Sequence, residues 1–238
     1  MKIVKCSVIV AGFGLLLAAG VQASAQAKPA APVASQTAPA KPVRVRAKLE
    51  GFDLSPQSGK SANQIGGASR DLGTPRLYAP HAGKAFSVSP VFYWGTAEPG
   101  QRVTLRLTAL NGQTMCEVTT TADHATCPPD AASLIVGQTY RWSIYPENDM
   151  LGGPPKPVLI TIINGDERAA IETELGKNPA AANAIFVNHR IWYDAVAGFT
   201  AALAQNPDDQ DALKGRASVY DQVPATEPLA DADWSRVH

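Results

Sequence analysis

The pair of side chains best placed for covalent chemistry is Cys116 and Cys127, eleven positions apart. The spacing is not C-x-x-C, so a redox-active dithiol is not indicated. In an oxidising compartment an isolated pair closes into a structural disulfide. A turn at Thr121-Ala122 sets the two residues opposite each other, and a turn at Asp123-His124 needs a register adjustment. Closing so short a loop stabilises the fold by somewhat under roughly 3 kcal/mol in the chain-entropy account. The histidines His81, His124, His189 and His238 form no H-E-x-x-H and no paired metal spacing, so neither metal nor cofactor is expected. His189 stands ahead of Trp192-Tyr193-Asp194 with no nucleophile at hand, and a helix-capping or surface role is expected. Neither G-x-S-x-G nor S-x-x-K occurs. Gly59-Lys60-Ser61 lacks the glycine of a phosphate loop, since position 54 is Leu54. Asp208, Asp209 and Asp211 lack the glycine and closing glutamate of a calcium loop and suit a helix N-terminus instead. The chain reads as a non-enzyme.

The remaining recognition chemistry is aromatic. Trp192 and Tyr193 are adjacent, and a single helix face cannot bury both equally. One is expected to pack inward while the other lines a groove for a partner. Trp94 and Tyr78 are candidate loop aromatics for a ligand.

Lys2 and Lys5 precede an almost wholly apolar run, Val8 to Ala19, followed by Ala23-Ser24-Ala25. A basic start, a short apolar stretch and an A-x-A end describe a signal peptide over residues 1–25, with cleavage expected after Ala25. Cys6 lies ahead of the apolar run and so is no lipoprotein cysteine. The destination expected is periplasmic or secreted, with no stable membrane span once the signal is removed. Among 238 residues the 21 Lys+Arg balance the 21 Asp+Glu, which argues against a nucleic-acid binder dependent on phosphate contacts. The charge is unevenly placed: residues 165–238 hold 12 acids and 6 bases, net −6, while 27–50 is net +4. The two ends suit each other, or partners of opposite sign.

The elements that position these groups follow from composition. Residues 26–50 are an Ala/Pro-rich spacer that cannot form a core, and 51–76 is a polar loop segment. From 77 to 164 short alternating runs separated by turn residues predict an immunoglobulin-like β-sandwich of six to eight strands. Its best local signal is the hairpin about Asn111-Gly112, a pair suited to a two-residue type I′ turn. That turn sets Leu107 opposite Cys116, Leu105 opposite Val118 and Val103 opposite Thr120, with Val103, Leu105 and Leu107 facing inward. Further strands are expected at Phe86–Val88, Val91–Trp94, Ala132–Ile135, Tyr140–Tyr145 and Val158–Ile163, with Trp142 in the core. The last is apolar on both faces and asks for cover on both. Residues 165–224 read as a helical cap: Asp166 to Leu175, Ala180–Val187 after Pro179, Ile191 to Gln205, and Asp209 to Tyr220. Phe186, Ala195, Phe199 and Ala202, measured from Pro207, have tetratricopeptide-like spacing for one unit, which must lean on the sheets because such units rarely stand alone. Residues 225–238 read as a polar tail docked through Leu229 or Trp234.

Four blocks together resemble a family of bacterial exported proteins, the domain of unknown function numbered nine hundred and twenty-eight. They are Gly66-Gly67-Ala68-Ser69-Arg70, Pro90-Val91-Phe92-Tyr93-Trp94, Val136 to Ser143 and Ile191-Trp192-Tyr193-Asp194-Ala195. Before Ile191 this chain has His189-Arg190 where the family pattern has Asn-Gly. The resemblance implies an exported sandwich with trailing helices and brings no activity. The function expected is a non-catalytic binding or scaffold module of the cell envelope. It would engage an envelope protein at the helical cap or a sheet edge, with Trp192, Tyr193 and Trp94 as candidate contacts. A glycan- or small-ligand-binding sandwich is the alternative, and a hydrolase a weaker one.

Overall fold

The structure is a computed structural model that describes residue 52 and residues 75–96, 98–128, 134–147 and 156–238. The expected signal peptide, the spacer 26–50 and nearly all of the 51–76 segment lie outside the described residues, as do the first two residues of the Ala132–Ile135 run. The described residues belong to one compact unit, Val45–His238.

Strands come first and helices follow. Strands β1 (Arg76–Leu77), β3 (Phe92–Gly95) and β6 (His124–Ala125) form a three-stranded sheet in the order β1-β3-β6. A five-stranded sheet has the order β2-β8-β7-β4-β5, built from β2 (Ala82–Ala85), β8 (Val158–Ile162), β7 (Thr139–Pro146), β4 (Val103–Ala109) and β5 (Thr114–Thr120). All pairs are antiparallel except β2 with β8. The expected strand Phe86–Val88 is a bend, and the strand forms one step earlier at β2.

Alternation on β4 behaves as the pattern requires. Val103, Leu105 and Leu107 are buried while Thr104, Arg106 and Thr108 stay partly exposed. Each buried aliphatic side chain stabilises the fold by about 1.5–3 kcal/mol. On the outward face Arg106 Nε donates to Glu117 Oε2 at 2.8 Å and Thr104 meets Thr119 at 2.9 Å, the cross-strand pairs of the same register.

That register matches the expectation for Val103, Leu105 and Leu107, but the turn does not. Asn111 has no positive φ, so the turn is not type I′. Gly112 N–H donates to Ala109 O at 3.0 Å, Gly112 itself takes φ +90°, and Ala109 N–H donates to Gln113 O at 2.8 Å. This is a three-residue loop ending in a left-handed glycine. It moves the pairing by one residue, to Thr108 opposite Thr114, and a bulge at Met115 restores Leu107 opposite Cys116. The inward face is thus kept by two compensating irregularities.

The chain beyond β5 does not fold back as a hairpin. Residues 121–125 cross to the other sheet, where β6 pairs with β3 as Phe92 with Ala125 and Tyr93 with His124. The disulfide Cys116–Cys127, with its Cα atoms 5.9 Å apart, therefore joins the edge strand of the five-stranded sheet to the segment leaving the three-stranded one. The sheets also meet through Phe92 on β3 and Trp142 on β7, their ring centroids 5.0 Å apart.

Five α-helices follow among the described residues: α1 (Gly165–Lys177), α2 (Ala182–Asn188), α3 (Trp192–Gln205), α4 (Gln210–Tyr220) and α5 (Glu227–Trp234). The first helix runs two residues past the expected end at Leu175, with Gly176 inside α1, and Pro179 opens a short 3-10 turn before α2. Asp209 caps α4, its carboxylate accepting the Asp211 and Ala212 N–H groups at 3.0 Å each. The segment 225–238 is more than a tail: α5 buries Ala230, and Leu229 and Trp234 pack on the core. The Thr226 hydroxyl donates to Tyr220 O and Val223 O, and Pro224 stands at the start of the turn that leads into α5. One face of β8 is buried through Val158, Ile160 and Ile162, while Leu159 and Thr161 are half-buried. Ile163, just past it, joins Ile171 of α1, Ile185 of α2 and Ile191 in a separate apolar cluster.

Reducing Cys116–Cys127 is expected to lower stability by about 2.5–3 kcal/mol, or roughly 5–10 °C in Tm. Thermal unfolding of the Cys116→Ala/Cys127→Ala variant against the oxidised chain measures it. A shift under about 1 °C would show that the crossing segment is held without the bond.

Candidate functional site

The three aromatics expected to meet a partner are all fully buried: Trp94, Trp192 and Tyr193 are each 0% exposed. Trp142 Nε1–H on β7 donates to Tyr193 Oη on α3 at 2.8 Å. Phe92 stands 6.0 Å edge-on to Tyr193, and Trp192 meets Tyr193 edge-on at 5.2 Å. The expectation that only one of the adjacent pair could be buried fails because α3 is wrapped. It packs on α2, on α4 and on β2, so neighbouring residues on different faces all lose their solvent. Gly83 on β2 makes the approach possible, since a Cβ there would lie 2.9 Å from the Tyr193 ring and 2.7 Å from Pro80. Burial drives the Tyr193 hydroxyl far above its ordinary value, and the bond from Trp142 only partly opposes it.

Asp194 completes the plug. Its Oδ2 accepts Phe86 N–H at 2.8 Å and its Oδ1 accepts Ser87 N–H at 2.9 Å, so the helix start grips the bend after β2. Burial pushes this carboxyl up, against the backbone N–H groups and the Arg168 charge. Arg168 lies 4.2 Å over the Phe86 ring and donates to Phe86 O at 2.7 Å. Arg190, ahead of the plug, has φ +59°, a left-handed conformation that glycine or asparagine takes with less strain.

Two features face outward. The first is a cavity of about 310 Å³ between the three-stranded sheet and helices α3, α4 and α5. Tyr78, Tyr93 and Tyr220 wall it, and Arg216 and Asp233 lie at its helical side. Arg216 Nε and Nη2 each donate to Asp233 at 2.7 Å, a two-pronged pair, while Nη1 donates to Thr200 Oγ1 at 3.2 Å. Burial works against the Arg216 charge, but the Asp233 bond and the neighbouring Tyr220 and Asp233 charges outweigh it and hold its pKa up. Burial also raises the Tyr93 and Tyr220 hydroxyls, and the neighbouring Thr200 hydroxyl and Arg216 charge draw them back in part. At the rim His124 stacks on Tyr93 at 5.7 Å and its Nδ1 lies 2.7 Å from Asp123 Oδ1, with Asp123 80% and His124 55% exposed. The disulfide tethers this rim three residues past His124.

The second feature is apolar. Val88, Leu110, Ile135 and Val136 are exposed, the large apolar side chains reaching solvent among the described residues. Ala85, Ala109, Thr139 and Ile162 all end or begin their strands at one end of the five-stranded sheet. The loops carrying the four aliphatics leave from that end.

Elsewhere, His189 closes α2 and its Nε2 lies 2.9 Å from Glu174 Oε1, a surface pairing. No cluster of three metal-ligating side chains occurs among the described residues, and no helix there is long and apolar enough to cross a membrane. Sequence reasoning missed Tyr93, His124, Thr200, Arg216, Tyr220 and Asp233 as neighbours. They come from five elements with no shared spacing, so no signal along the chain links them.

Tyr193→Phe leaves the Trp142 indole N–H buried without an acceptor and is expected to cost about 1–3 kcal/mol, read as a lower denaturant midpoint at unchanged slope. A loss under about 0.5 kcal/mol would show that the bond contributes little. Tyr193 and Tyr220 keep their protons in the folded chain after the unfolded chain has lost its own near pH 10. Their contribution is therefore whole below that pH and falls above it by about 1.4 kcal/mol per pH unit for each tyrosine. Unfolding midpoints between pH 8 and 12 test this, and a flat profile in Tyr193→Phe equal to that of the wild type would contradict it.

No curated protein matches this chain closely enough to count as a relative. The family model for the Domain of Unknown Function (DUF928) matches residues 74–227, which contain both sheets, helices α1 to α4 and the whole Trp142–Tyr193 junction. The chain belongs to that family.

Proposed function

We propose that the chain is an exported, non-catalytic binding or scaffold module of the cell envelope that engages a protein partner through the loop end of its five-stranded sheet. The observation that carries this reading is the exposure of Val88 (40%), Leu110 (50%), Ile135 (60%) and Val136 (41%) at one end of the sheet. Their loops, residues 86–91, 110–113 and 134–138, contain no Asp, Glu, Lys or Arg. Exposed aliphatic side chains gathered without charge favour a partner that covers them. The helical cap, first expected to dock the partner, is a weaker candidate because Trp192 and Tyr193 are spent on internal packing.

Export rests on residues 1–25 read as a signal peptide, and the periplasm agrees with a disulfide. The two sheets are read as an immunoglobulin-like sandwich, supported by the Phe92–Trp142 contact and by the covalent link between sheets. The helices are read as one tetratricopeptide-like unit with its flanks. Two close approaches support this: a Cβ on Gly198 would collide with Asn183 of α2, and one on Gly215 of α4 with the Phe199 ring.

Affinity recovery from the native envelope tests the proposal. The full chain is expected to retain one protein reproducibly, and the Leu110→Asp/Ile135→Asp variant to retain at least about tenfold less. Recovery unchanged by the substitutions would move the interface elsewhere, and recovery of no protein would overturn the role.

A further inference from the structure

We infer that the cavity between β3, β6 and helices α3 to α5 is a second binding site, separate from the apolar loop end, and that its ligand is a neutral sugar ring. Its volume of about 310 Å³ falls at the small end of ligand pockets and leaves room for a single ring of a longer chain. The exposed Asp123 and His124 at the rim leave a path for the chain to continue into solvent.

The chemistry of the walls selects the class. Tyr78, Tyr93 and Tyr220 supply flat apolar surface suited to the C–H face of a ring. Behind them lies a hub of polar groups. Thr200 Oγ1 accepts from Arg216, and Thr200 lines the same cavity as Tyr93 and Tyr220. Arg216 has five N–H donors, and the bonds to Asp233 and Thr200 occupy three. The remaining two, with two phenol hydroxyls, can serve alternating donors and acceptors such as sugar hydroxyls.

Charge excludes the other classes. An anion gains little, because Asp233 neutralises Arg216 and Asp123 adds a negative charge at the rim. A cation seeking the aromatic walls meets the Arg216 guanidinium, already 5.7 Å from the Tyr220 ring. A hydrocarbon would cover the spare N–H groups without pairing them, at a cost of about 1–3 kcal/mol each. A neutral polyhydroxylated ring satisfies both the apolar walls and the polar hub.

The oxidised full chain is screened on an array of neutral and acidic glycans, and hits are titrated by calorimetry alongside choline and inorganic phosphate. A neutral glycan is expected to bind with Kd of about 1 mM or tighter. Tyr93→Phe, which removes one hydroxyl and keeps the ring, and Tyr78→Ala, which removes a wall, should each weaken it at least about fivefold. Leu110→Asp/Ile135→Asp should leave it unchanged, which separates this site from the partner surface. Near-UV circular dichroism verifies the fold of each variant, and Thr200→Val replaces any that does not fold. Choline or phosphate binding more tightly than every neutral glycan would overturn the inference. So would the absence of any neutral glycan binding below about 10 mM, or affinity indifferent to these substitutions.

Discussion

The buried hydrogen bond from Trp142 to Tyr193 is the constraint on which the rest of this molecule hangs. It joins the centre of the five-stranded sheet to the first turn of α3, with no solvent at either end. A polar bond in so apolar a setting adds little net attraction, but its loss leaves a buried donor unpaired. It therefore specifies one docking geometry for α3 more than it adds stability. Asp194 fixes the same helix start to the bend after β2, so two adjacent residues set both the depth and the rotation of the helix. What looked like recognition chemistry in Trp192-Tyr193-Asp194 is an internal plug.

Once α3 is seated, the remaining helices follow. Phe199 fills the space over Gly215, which brings α4 in, and Arg216 on α4 reaches Asp233 on α5. Asp233 is only 4% exposed, so its carboxylate is buried with its partner supplied. Such a pair contributes modestly to stability but penalises any other arrangement strongly, since breaking it strands a buried charge. It holds α5 against α4 and closes the helical side of the aromatic cavity.

The opposite wall of that cavity depends on a crossing between sheets. β6 has two residues and one neighbour, a meagre hold by itself. The disulfide anchors the same segment to β5, and Trp94 N–H donates to Asp123 O at 2.9 Å. Thus one end of the molecule presents charge-free aliphatic loops while a site at the sheet–helix junction presents rings, hydroxyls and paired charges. The two surfaces differ in chemistry because they are built from different elements, loops at the strand ends on one side and the sheet–helix junction on the other.

Local patterns determined a great deal here. Alternation placed Val103, Leu105 and Leu107 inward, an isolated cysteine pair announced a disulfide, and Asp209 announced the start of α4. These depend on neighbours within a strand or a turn, which the sequence displays directly. The hairpin type was misjudged because a three-residue loop plus a bulge yields the same register as a two-residue turn. The helix in residues 225–238 was missed because its interior is polar and its docking comes from Leu229 and Trp234 meeting distant surfaces. The burial of Trp192 beside Tyr193, the crossing of residues 121–125 and the meeting of Tyr93, His124, Arg216 and Asp233 were decided only by tertiary structure. Each depends on elements far apart in the chain, and no spacing along the sequence records which faces those elements will share.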